Sequence, residues 1–186
     1  MTTQTIEDLE AAMTSIESAL KEAASDPRLC QGPTPCSEWT VAELVHHLFS
    51  DLDNFALMAR GEKPEWGRQA AGVAPADWAV RWGEGSGELA QAWRTQTEAD
   101  SPLTGMPVVE LAVHSWDLHR ALGRSLALDS GLVERALEFG RANLKPEYRG
   151  EGKGFGEQVE VASGAPAIDR LAGFYGRDPS WQPPAA

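Results

Sequence analysis

The four histidines of this chain come in two pairs, His46 with His47 and His114 with His119. Glu110 stands four residues before His114, so on a helix the two share a face one turn apart. A neutral imidazole nitrogen and a carboxylate oxygen each bind zinc at about 2.0–2.2 Å, so this pair suits joint ligation of one metal ion. The flanking Val108, Val109, Leu111, Ala112 and Val113 turn the pair inward, where a carboxylate is costly unless paired or metal-bound. A third donor has to come from another helix, and His46 or His47 is the only histidine candidate. Periodicity does not choose between these two, which border the apolar face of their helix on opposite sides. Three protein ligands leave a fourth position for water or substrate, the pattern of a catalytic rather than a structural site. Two imidazoles and a carboxylate accept zinc, and also nickel, iron or manganese.

Asp117, three residues past His114, is placed to hydrogen-bond a ligand imidazole and fix its tautomer, or else to lie on the helix surface. His119 falls on another face and is expected in solvent. Cys30 and Cys36 read as free thiols in packing or loop positions. No His-Glu-x-x-His run and no Ser-His-Asp arrangement offers a different chemistry. Gly150, Gly152, Gly154 and Gly156 lack the Gly-Lys-Ser/Thr ending of a phosphate loop.

The elements that must position these residues are helices. Ile6, Leu9, Met13, Ile16 and Leu20 step by three and four and predict a helix over 4–25. A Pro-rich loop follows. Thr40 and Glu43 form a capping box for a helix carrying Leu44, Val45, Leu48, Leu52 and Phe55, closed at Gly61. After an irregular stretch over 62–76, a third helix is expected from Pro75–Asp77 to about Thr97. Gly83, Gly85 and Gly87 argue for a break in it. A fourth runs from Gly105 and Pro107 to Gly123, and a fifth over 130–143. Gln158–Val161 reads as a short extended piece, and 165–175 as a last short helix. Trp39, Trp78, Trp82, Trp93 and Trp116 are expected in the core. Arg170 or Arg177 could reach a substrate carboxylate, or else stay in solvent, which is the expectation for both.

With 186 residues and 42% hydrophobic side chains, the chain can bury a real core. The net charge of −12 and the lack of a basic stripe speak against nucleic acid. No apolar run approaches the roughly 20 residues of a membrane span, and the N-terminus has no secretory pattern, so a cytoplasmic protein with no membrane partner is expected.

The run Thr34-Pro-Cys-Ser-Glu-Trp-Thr-Val-Ala-Glu-Leu-Val-His-His-Leu resembles the second-helix signature of the DinB/YfiT-like metal-binding superfamily. Within it, the likeness is to the actinobacterial branch that includes the N-terminal domain of mycothiol-dependent maleylpyruvate isomerase. In that signature the ligand histidine stands just before a leucine, which His47 satisfies and His46 does not. Glu110-Leu-Ala-Val-His-Ser-Trp-Asp-Leu resembles the branch's second motif and places Glu110 and His114 on the two remaining ligand positions. Gly154-Phe-Gly and Asp169-Arg-Leu-Ala-Gly-Phe-Tyr-Gly-Arg-Asp-Pro-Ser-Trp also look like a subgroup of this branch.

The resemblance implies an all-α fold: a four-helix bundle holding the metal over 1–145, with a short mixed C-terminal extension over 146–186 packed on it. It implies a divalent metal on His47, Glu110 and His114. It also implies mycothiol or a similar thiol as cosubstrate in a transferase or isomerase reaction on a small electrophile. The isomerase of the branch has a sizeable second domain, longer than residues 146–186, so maleylpyruvate isomerisation itself is not expected. A metal-dependent hydrolase, using metal-bound hydroxide with Asp117 as base, is an alternative. So is a non-catalytic metal- or small-molecule-binding stress protein, or a structural homodimer through an apolar helix face.

Overall fold

The computed structural model describes residues 3–36, 39–66, 72–95, 105–151 and 155–184. Among them the fold is all-α. The elements are α1 (Thr3–Ala23), α2 (Pro27–Cys30), α3 (Val41–Ala59), α4 (Trp78–Thr95), α5 (Met106–Ala121), α6 (Ser130–Asn143) and α7 (Ala167–Phe174). Short 3-10 turns cover Pro75–Asp77 and Pro146–Tyr148. Both α1 and α3 pack against α4 and α5, and α6 and α7 add to the α5 side. The periodic positions read from the sequence are the ones buried: Leu9, Ile16 and Leu20 on α1, and Leu44, Leu48, Leu52 and Phe55 on α3. Trp82 on α4 sits within this core and donates its indole N–H to the Met13 carbonyl of α1 at 3.1 Å, joining two helices by a polar as well as an apolar contact.

Start and stop chemistry sets where α3, which carries His47, begins. Thr40 Oγ1 accepts from the Glu43 amide at 3.3 Å, while Glu43 Oε2 accepts from the Thr40 amide at 2.8 Å. The box satisfies two otherwise orphan donors of the first turn. Thr40→Ala is expected to lower stability by about 1 kcal/mol in a urea titration. A change within about 0.2 kcal/mol would mean that water replaces the cap without loss.

Several expectations are corrected. The loop after α1 contains α2, because Asp26 caps it, accepting from the Arg28 amide at 2.9 Å, and Pro27 pre-sets its first turn. No break occurs in α4. Gly85 faces α3 so closely that a Cβ would lie 2.9 Å from Leu52 Cδ1, so helix packing there requires the glycine that propensity disfavours. The expected end of α4 at Thr97 lies outside the described residues, as do Ser37, Gly152 and Gly154 of the loop readings. Gln158–Val161, read as a short extended piece, is neither helix nor strand. One bond, from the Val159 amide to the Gly173 carbonyl at 2.9 Å, ties it to the end of α7, and no second strand lies beside it among the described residues. Trp78, Trp82, Trp93 and Trp116 are buried as expected, but Trp39 is only half-buried. No helix among the described residues is long and apolar enough to cross a membrane.

Candidate metal centre

The facing surfaces of α3 and α5 each contribute a pair of donors at helical spacing: His47 and Asp51 from α3, Glu110 and His114 from α5. One donor atom from each of the four lies within 4.8 Å of all the others. His47 Nε2 is 3.1 Å from Asp51 Oδ2, and His114 Nε2 is 3.4 Å from Glu110 Oε2. The two imidazoles meet edge to face, their ring centres 4.9 Å apart. Trp39 lies against both, 4.5 Å from the His47 ring and 5.9 Å from the His114 ring. The placement of Trp39 over the histidines is why it is not in the core.

His46 and His47 part company. His46 turns to the other side of α3, where its Nε2 lies 3.2 Å from the Val73 carbonyl and 3.3 Å from the Val73 amide, beside Trp78. It pins the segment before α4. His119, expected in solvent, is half-buried, its Nδ1 2.8 Å from the Ser115 carbonyl, and burial lowers its pKa. Arg170, also expected in solvent, pairs with Glu134 of α6.

Asp117 is fully buried and meets His114 Nδ1 through Oδ2 at 3.0 Å. A carboxylate there makes Nδ1 the protonated ring nitrogen and leaves Nε2 directed at the centre. On its other side Asp117 is held by Arg177, whose Nη2 donates to Oδ2 at 2.9 Å. Arg177 was expected in solvent and is instead buried. Its burial is sustained by this ion pair and by donation from Nη1 to the Tyr175 carbonyl at 2.8 Å.

These neighbours set the charge states. Burial pushes the Asp51 carboxyl up, against the opposing pull of His47. Burial also works to raise Glu110, but His114, His47 and Arg177 outweigh it and hold its pKa below the usual value. Burial disfavours a charged His114, yet Asp117 and Glu110 prevail and raise it to about 9. Asp117 is kept low despite burial by the adjoining Arg177 and His114.

The donor set fits a divalent ion. Two nitrogen and two carboxylate donors are the mixture that zinc, manganese, iron or nickel accept. Asp51 Oδ2 is the telling atom: it is buried 3.1 Å from His47 Nε2 and has no hydrogen bond that satisfies it. A buried carboxylate oxygen without a partner is costly, and a cation between it and the imidazole would satisfy both.

The sequence model of the mycothiol maleylpyruvate isomerase N-terminal domain family matches residues 7–119, more than half of the chain. The chain belongs to this family. The matched region of the mycothiol maleylpyruvate isomerase N-terminal domain family spans α1 to α5 and therefore all four donors of the cluster. Two uncharacterized proteins of Mycobacterium tuberculosis, from strains CDC 1551 / Oshkosh and ATCC 25618 / H37Rv, are each 31% identical to it over 154 residues. The alignments take in 78% of this chain and 84% of each relative. No solved structure matches the chain.

Asp51 is the member of the cluster that sequence reasoning missed. Its signal was present: His47-x-x-x-Asp51 repeats the spacing of Glu110-x-x-x-His114 on a second apolar helix. Arg177 had no such spacing signal; it entered the sequence reading only within the Asp169–Trp181 run that resembles a subgroup of the branch.

Proposed function

We propose that the chain is a divalent-metal protein that takes a low-molecular-weight thiol of the mycothiol type and presents it, as thiolate, to a small electrophile. The outcome is S-transfer, or isomerisation through a transient thiol adduct. The observation that carries this is the partnerless, buried Asp51 Oδ2 at the meeting point of His47, Glu110 and His114. The thiol is supported by the family's description alone. A cation held there supplies one thing: it lowers the pKa of a thiol brought to it, and the thiolate is the nucleophilic form.

The chain's own residues do the rest. His47 and His114, with oxygens of Asp51 and Glu110, would hold the ion, zinc being the simplest choice for this set. Asp117 and Arg177 keep the His114 ring turned toward the centre. Trp39 lies against both imidazoles on one side. Asp51 serves this reading as a ligand of the ion, and the proton that the thiol gives up passes to solvent.

Elemental analysis tests the reading. The native chain is expected to carry about one transition metal, and His47→Ala and His114→Ala to lose it. Absence of metal from the native chain, with no uptake of added zinc, nickel or manganese, would remove the proposal.

A second reading, metal binding without turnover, is favoured by Asp51 itself, because a fourth protein donor fills a tetrahedral shell. Titrating a small thiol into the cobalt-substituted chain separates the two. A sulfur-to-cobalt absorption band supports the thiol reading; an unchanged spectrum supports the closed site.

A further inference from the structure

The C-terminal segment lies beyond the 7–119 region that the family shares, yet one of its side chains reaches the back of the metal centre. We infer that Arg177 is a positioning residue of this centre: it clamps Asp117, Asp117 fixes His114, and metal binding is thereby coupled to docking of residues 155–184. The inference rests on the metal reading and adds to it a residue that the centre requires from outside the family's matched region.

Three observations carry it. First, the clamp is directional. Arg177 Nε donates to Asp117 Oδ1 at 3.2 Å and lies 3.3 Å from Oδ2, while Nη2 donates to Oδ2 at 2.9 Å. A planar guanidinium held in this way fixes the plane of the carboxylate as well as its place. Second, Asp117 Oδ2 is shared, taking Arg177 on one side and His114 Nδ1 at 3.0 Å on the other. The orientation of the imidazole is thus set two residues deep, and such outer partners govern how well a histidine ligates. Third, the segment is built to deliver this one side chain. Gly176 has φ +85 and passes against Gly156 and the Glu157 carbonyl. The Arg177 amide then bonds the Ala172 carbonyl at 3.0 Å. Arg149 anchors the turn, donating to the Phe174 carbonyl at 2.7 Å and lying over the Phe174 ring. A further contact, Arg177 Nη2 to Cys36 Sγ at 3.5 Å, ties the turn before α3 to the same guanidinium.

A buried ion pair of purely structural value would look similar, so the test reads the metal rather than the fold. Affinities are measured by zinc competition with a chromophoric chelator, and geometry by the visible spectrum of the cobalt-substituted chain. Arg177→Gln is expected to weaken zinc binding about 10- to 100-fold and to alter the cobalt spectrum. Arg177→Lys keeps the charge without the fork and is expected to recover part of that affinity. Arg170→Gln, which removes the Glu134 contact of the same segment but keeps the clamp, should weaken zinc binding far less than Arg177→Gln and leave the cobalt spectrum as in the native chain. By reciprocity, zinc should slow amide exchange over 155–184 in the native chain.

Native affinity and an unchanged cobalt spectrum in Arg177→Gln overturn the inference. Where Arg177→Gln does not fold, the same result in Arg177→Lys overturns it. A native chain that takes up no metal at all brings down the metal reading instead, and the inference with it.

Discussion

Zinc affinity is expected to climb about tenfold for each pH unit between 6.5 and 9 and then to level off. The reason is the proton that His114 carries in the metal-free chain. Asp117 and Glu110 from its own helix, facing Asp51 and His47 from α3, raise it from 6.5 to about 9 even though burial acts against the charge. Arg177 holds Asp117 in its charged form. A metal needs Nε2 as a free lone pair, so binding below pH 9 must expel that proton, and the competition has a slope of one proton.

The metal-free chain should behave in the opposite sense. A folded pKa above the unfolded value contributes stability that is complete below 6.5 and is lost as pH rises through about 9. Competition titrations and urea unfolding of the metal-free chain over this range read both trends. A zinc affinity that stays flat from pH 6.5 to 9 would show that His114 is already neutral throughout this range.

Gly176→Ala should destabilise the chain by about 2–4 kcal/mol, the sum of a left-handed backbone cost and an overpacking cost. Gly176 has φ +85, where an L side chain is strained. A Cβ there would also lie 2.8 Å from Gly156 Cα and 3.0 Å from the Glu157 carbonyl oxygen. These are backbone atoms, so no rotamer change relieves the clash. For a chain of this size the melting temperature should fall by roughly 5–15 °C. Since residue 177 follows directly, zinc affinity should fall with it. A loss under about 0.5 kcal/mol would mean that the two segments separate at little cost and that the clamp is loosely presented.

What could be read in advance follows the range of each signal. Glu110 and His114 were legible as a pair because a helical repeat of apolar residues surrounds them, and the same repeat placed Leu44, Leu48 and Leu52 in the core. His47 was separable from His46 only by resemblance. The physical reason is that His46 has its own partner in Val73, 27 residues on, which periodicity does not see. The same spacing rule that found Glu110 applies to Asp51, four residues past His47 on the other helix, but it was not applied there. The continuity of α4 was hidden because local propensity counts Gly85 as a cost, whereas the close face of Leu52 makes it a requirement. The partner of Arg177 was out of reach: the contact depends on a glycine crossing and on a carboxylate 60 residues earlier.

Trp39 gives the molecule an optical gauge. Among the described residues it is the one tryptophan in ring contact with His47 and His114. Indole emission responds to the groups in contact with the ring, so a metal ion taken up at these imidazoles should change it. The fluorescence of this chain therefore carries a component that reports the state of the centre directly, without label or added dye. Trp39→Phe should silence that component while leaving the emission of the buried tryptophans in place.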